Sequence, residues 1–202
     1  NSFIFESVEK GKIKGRYTIF GKNPDKIWEF NNNNSYLIKN KKKIKLKDRP
    51  DQLIEKIIEG FKFETPKKLP KICSLISGYF SYDSIRYVEK IPNKCKNDLN
   101  LPDVRLLRPR TLVIYDNLKK EIFYIINIFN DEKIKNYSKK YEEIKKELSK
   151  ILIQSSLTIT HNLQSKTNKV IKVKSNTPKN KFLKMVNKAK DYIKLGDIFQ
   201  VV

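Results

Sequence analysis

The stretch RYTIFGKNPDKIWEF, residues 16–30, decides the fold class. Its flanks, RYTIFG (16–21) and KIWEF (26–30), are runs of β-branched and aromatic residues. Such side chains fit a pleated, half-buried surface. Between them stand Gly21 and Asn23-Pro24, which favour turns. Two short strands joined by a turn are therefore expected, with a third strand in SYLIKN (35–40) after the Asn run at 31–34. Further along, RPDQLIEKIIEGF (49–61) places Leu53, Ile54, Ile57, Ile58 and Phe61 on one helical stripe. Pro50 suits the first turn of that helix and Gly60 lies near its end. CSLISGYFSYD (73–83) reads as a buried strand, with Asp83 as a cap for a following helix. TLVIYD (111–116) and EIFYIINIF (121–129) flank the polar NLKK and read as a hairpin.

Residues 131–152 carry Ile134, Tyr137, Tyr141, Ile144, Leu148 and Ile151 at alternating spacings of three and four. That is an amphipathic helix whose stripe is expected in the core. From Gln154 to Asn176 the chain is polar and weakly patterned, a linker with one candidate strand at KVIKVK (169–174). A new unit then opens with Thr177 as N-cap and Pro178 at the first helical position. Phe182, Val186, Ala189 and Ile193 form its apolar face, Gly196 ends the helix, and Ile198 to Val202 begin a strand. The expected organisation is a domain over 1–153, a linker over 154–176, and the start of a second domain over 177–202. Position 1 is Asn and the chain closes on the apolar GDIFQVV, so both ends read as cut and the chain as a fragment.

The formal net charge of +22 first suggests nucleic acid. The basic residues are 38 lysines and only six arginines, spread along the whole chain beside abundant Ile and Asn. A dedicated nucleic-acid surface clusters Arg beside aromatics. The charge is read as compositional drift, and neither a nucleic-acid partner nor a membrane is expected. Cys73, Cys95 and the lone His161 are too few and too scattered for a zinc site, so the cysteines read as reduced structural thiols. With no apolar run near the length of a membrane span and no signal-peptide pattern, a cytoplasmic protein is expected.

Four stretches in order carry a family resemblance: SFIFESVEKGKIKGRYTIFG (2–21), GYFSYDSIRYVEKIP (78–92), LPDVRLLRPRTLVIYDN (101–117) and AKDYIKLGDIFQVV (189–202). Together they resemble the N-terminal portion of anthranilate synthase component I, a family of chorismate-utilising enzymes. The resemblance implies an α+β fold of antiparallel β-sheets in an α/β sandwich with flanking helices. It implies a lyase that makes anthranilate and pyruvate from chorismate and ammonia, with Mg²⁺, in tryptophan biosynthesis. The ammonia would come from glutamine on a partner amidotransferase, component II. The Mg²⁺ ligands and most chorismate contacts would lie beyond Val202, leaving the fragment silent by itself. Component I of para-aminobenzoate synthase shares several of the stretches and is the alternative.

On the bare sequence, Glu6 and Arg16 read as an ordinary surface pair of little worth. The resemblance instead places part of a feedback site for tryptophan on Glu6, Ser7 and Arg16, with Phe5 and Tyr17 beside them. Glu6 and Ser7 can accept hydrogen bonds from the ammonium of a free amino acid, or Ser7 can bond its carboxylate. Arg16 can pair with that carboxylate, and Phe5 or Tyr17 can face the ring. The other half of the pocket would come from the catalytic domain.

Gln200 is the one candidate catalytic residue. Related chorismate enzymes that add water carry a lysine at the matching position, where it looks like the general base. Water needs such a base, whereas ammonia already has an available lone pair. A neutral amide can orient a nucleophile without activating water. On composition alone Gln200 reads as an outward polar residue of an alternating strand.

Overall fold

The computed structural model describes residues 1–9, 13–94, 97, 99–156 and 173–201. Cys95, His161 and most of the candidate strand at 169–174 lie outside the described residues. The chain divides into two compact units, Asn1–Thr158 and Ile159–Val202.

The first unit is built on one seven-stranded sheet in which every pairing is antiparallel. The strands are β1 (Ser2–Glu9), β2 (Ile13–Asn31), β3 (Asn34–Lys39), β4 (Lys42–Leu46), β5 (Ser77–Phe80), β6 (Val104–Asp116) and β7 (Glu121–Ile126). Helices α1 (Pro50–Gly60) and α2 (Tyr137–Ser156) complete the α+β architecture expected from sequence. β2 and β6 are long central strands that pair along their length. Each outer edge carries two short strands end to end: β1 then β3 along β2, and β5 then β7 along β6.

The stretch 16–30 is thus a single strand, not two strands and a turn. Asn23 takes a left-handed conformation, at φ 53°, but the chain does not reverse there. One extra residue, Asp25, bulges between Pro24, opposite Pro109, and Lys26, opposite Arg108. A bulge shifts the alternation of side chains by one. Before it, odd-numbered Tyr17 and Ile19 pack against the Leu112–Ile114 core; after it, even-numbered Trp28 and Phe30 pack with Val104 and Leu106. The prolines sit where β1 has ended and β3 has not begun, and where β5 has ended and β7 has not begun. No outer strand calls for their missing N–H groups there.

The bulge is clamped by charge. Arg108 donates from Nε and Nη2 to Asp25 and from Nη2 to Asp131, and its guanidinium stacks 3.8 Å above the Phe129 ring. Lys26 pairs with the same Asp131. Burial works against the charged form of Asp131, but these two cations outweigh it and hold its carboxyl down at about 2.

Each half of the sheet has its own core. In the half made of β3, β4, β5 and the adjoining ends of β2 and β6, Trp28, Phe30, Val104 and Leu106 are covered by Leu53, Ile54 and Ile57 of α1 and by Tyr87. Ile58, expected on that stripe, is exposed. In the other half Leu112, Ile114 and Ile125 are covered by Leu69, Ile72, Cys73 and Leu75. Cys73 therefore belongs to a turn-rich segment, and only Ser77–Phe80 of the expected strand at 73–83 is extended. Its thiol is buried and pushed up by that burial, as suits a structural cysteine. Asp83 caps nothing: Ser81 holds the N-cap position of a short 3-10 helix, Tyr82–Tyr87, and Asp83 pairs with Arg86 at 3.0 Å.

Other expectations shift in the helices and at the end of the chain. α2 starts at Tyr137 because the Asn136 side chain accepts the Lys139 N–H at 2.9 Å, a cap that ends the preceding loop. Its Tyr137 and Tyr141 are exposed, while Ile144, Leu148 and Ile151, and Ile134 just before the helix, are half-buried. In the second unit α3 spans Lys179–Leu195 with Pro178, not Thr177, at the N-cap position. Gly196 ends it in the left-handed region at φ 81°, as expected. Residues 198–201 are not a strand, since among the described residues no backbone pairs with them. None of the described helices is long and apolar enough to cross a membrane.

Candidate functional site

β1 pairs with β2 in regular register from Ser2 opposite Lys22 to Glu6 opposite Thr18. The next pair is Val8 opposite Lys14, so the single residue Ser7 faces three residues, Gly15, Arg16 and Tyr17. The crowding is tight. A Cβ at position 15 would lie 1.8 Å from Ser7 Oγ, so only glycine lets the serine side chain lie where it does.

The same irregularity frees Arg16 to turn toward β6. Its Nη2 donates to Asp116 Oδ2 at 3.1 Å and its Nε at 3.3 Å, while the guanidinium carbon stands 4.8 Å from the Tyr17 ring centroid. Asp116 is 2% exposed. Its Oδ1 also accepts the backbone N–H groups of Leu118 at 3.0 Å and Lys119 at 3.2 Å. Asn117 adds a second tie: its N–H donates to the Arg16 carbonyl at 2.6 Å and its side-chain amide to the Gly15 carbonyl at 2.9 Å. The β6–β7 turn is in this way latched to the β2 irregularity.

Electrostatics follow the contacts. Burial disfavours the charged Asp116, but Arg16 and the two backbone N–H groups outweigh it and lower its carboxyl below the usual range. The Asp116 hydrogen bond raises the Arg16 guanidinium above its ordinary value. Arg16 is nonetheless about half open to solvent, at 48%. Its Nη1 has no acceptor among the described residues.

Of the five residues expected at an inhibitor site, the alternation puts Phe5, Ser7 and Tyr17 on the core face of the sheet. Phe5 stacks on Phe3, 4.8 Å between ring centroids, and stays 47% exposed. The Arg16 guanidinium joins that face through Tyr17 and Asp116. Glu6, opposite Thr18, falls on the other face and is not brought to the same group. Gln200 belongs to the second unit, exposed in the unpaired segment after α3. Sequence reading passed over Gly15, Asp116 and Asn117. An Asp-Asn pair closing a strand before a polar turn is a signal for side chains that bond the turn backbone, and it could have pointed to them. Among the described residues no group of three or more His, Cys, Asp and Glu side chains could hold a metal ion.

Residues 2–202 match the family model described as chorismate binding enzyme. The chain belongs to that family of enzymes. Within it, the similarity runs to anthranilate synthase component I. The chain is 34% identical over 204 residues to anthranilate synthase component 1 of Acetivibrio thermocellus, covering 99% of this chain and 41% of the relative. It is 28% identical over 207 residues to the protein of that name from Cereibacter sphaeroides, again covering 41% of it. The fold matches the crystal structure of anthranilate synthase component I from Streptococcus pneumoniae TIGR4 with a TM-score of 0.69 at 22% identity, over 95% of this chain and 41% of that one. The chain therefore spans well under half the length of these relatives.

Proposed function

We propose that the chain is the N-terminal, regulatory part of an anthranilate synthase component I. The complete lyase would convert chorismate and ammonia into anthranilate, pyruvate and water, as the first committed chemistry toward tryptophan. Ammonia would be released from glutamine by a partner amidotransferase, and Mg²⁺ would be held by side chains that this stretch does not supply. A cytoplasmic setting belongs to the same reading. Gln200 would orient the nucleophile without acting as a base for water. Tryptophan would bind against Phe5, Ser7, Arg16 and Tyr17 as a feedback inhibitor.

The observation that carries the inhibitor assignment is the Arg16 guanidinium, half exposed beside Tyr17, across the β1–β2 irregularity from Ser7, with no acceptor for Nη1 among the described residues. A free amino acid needs a cation for its carboxylate and an apolar face for its ring, and both stand together here. The patch is open, so the remaining walls would come from other parts of the enzyme.

The test uses the complete protein with chorismate and an ammonium salt. Anthranilate as product, with turnover suppressed by L-tryptophan, supports the reading; para-aminobenzoate as product would overturn it. In Ser7→Phe, the rate at saturating tryptophan as a fraction of the rate without it should rise toward one. An unchanged fraction would remove the inhibitor site from this patch.

A further inference from the structure

Among the described residues, Arg16 is gripped along one edge only. Asp116 takes Nε and one N–H of Nη2, and the remaining edge, Nη1 with the second Nη2 hydrogen, points away from that carboxylate. A guanidinium fork can hold one carboxylate side-on and a second end-on. A loose Arg on an exposed strand would sample many rotamers, and ordering it on ligand binding would weaken affinity. Here Asp116 is buried and cannot follow solvent, since Leu118 and Lys119 hold its other oxygen in place.

We propose that Asp116 is a positioning residue for the inhibitor site: it fixes the Arg16 guanidinium so that its free edge meets the carboxylate of a bound amino acid. The proposal rests on the assignment of tryptophan to the Arg16–Ser7 patch. The β6–β7 turn is then part of the regulatory site without touching the ligand. Its role separates from a general role in the fold because it acts on one group of the ligand only. Ligand recognition through the ring and the ammonium does not pass through Asp116.

The experiment is calorimetric titration of the complete protein with L-tryptophan and with L-tryptophanamide, which keeps the ring and ammonium and lacks the carboxylate. Wild type should prefer tryptophan. Asp116→Asn, which keeps an oxygen for the two turn N–H groups, should lose about tenfold in tryptophan affinity and keep its tryptophanamide affinity. Arg16→Lys, which keeps charge but not the fork, should show the same selective loss. Asp116→Glu, which keeps the charge but displaces the carboxylate, takes the place of Asp116→Asn if that variant does not fold, and should show the same selective loss. Unchanged tryptophan affinity in the variants would overturn the proposal, as would equal weakening toward both ligands. Ser7→Phe distinguishes the underlying assignment: if it binds tryptophan like wild type, the patch is not the inhibitor site and the role of Asp116 falls with it.

Discussion

The two halves of the sheet share two strands and differ in how they are finished. Around Phe30 and Val104, both fully buried, α1 closes the face and every central strand has neighbours on both edges. Around Ser7 and Arg16, β1 is an outer strand whose Ile4, Phe5 and Val8 are exposed and whose register breaks. The closed half spends its side chains on packing. The open half leaves an arginine edge, a serine and an aromatic ring uncovered, which is what a binding surface needs and a core cannot supply. The bulge at Asp25 joins them, because it lets one strand serve both with the same face inward.

Deleting Asp25 is expected to have the largest effect. Without the extra residue, either Tyr17 and Ile19 or Trp28 and Phe30 must turn outward, and no cooperative unfolding transition should remain in a urea titration. A normal transition would break the claim that the bulge couples the halves. Next, Phe30→Ala should cost about 3–5 kcal/mol, whereas Phe5→Ala on the open half should cost about 1 kcal/mol or less. Equal costs, measured by the same titration, would erase the contrast. Gly15→Ala forces Ser7 aside and should cost about 1–3 kcal/mol, with faster amide exchange confined to β1. The smallest effect is at the waist. Asp131 has its folded pKa lowered to about 2, so its contribution is present above its ordinary value of 3.8 and fades as pH falls from there toward about 2. Asp131→Asn should therefore lower stability at pH 7 and flatten its dependence on pH across that acid window.

Much of this was legible in the sequence, for reasons that differ by place. The helical stripe at 53–57 is periodic, and the runs TLVIYD and EIFYIINIF are bounded by the polar NLKK. Both signals survive without knowing the partner, although β6 starts seven residues before the expected run, at Val104. The same local reading failed at Asn23-Pro24, because a proline and a left-handed Asn mark a bulge as well as a turn. Only the identity of the opposite strand, with Pro109 at the matching place, separates the two. β4 was overlooked because KKIKL is mostly lysine, and its strand form comes from pairing with β3. Ser7, Arg16 and Tyr17 stand out in the FES and GRY stretches; Arg16 lies against Tyr17, and Ser7 faces both across the β1–β2 irregularity. Glu6 was grouped with them although it is adjacent to Ser7 in an extended strand and so faces the other way. Asp116 was missed because its meaning depends on a contact with a residue one hundred positions away.

The comparison of halves is tested most directly by amide hydrogen exchange on the complete protein with and without L-tryptophan. The expected result is slowed exchange in β1, in Gly15–Tyr17 and in the turn after Asp116, with α1, β3 and β4 unchanged. Protection on the α1 side, or none in β1 at saturating tryptophan, would contradict the assignment of regulation to the open half.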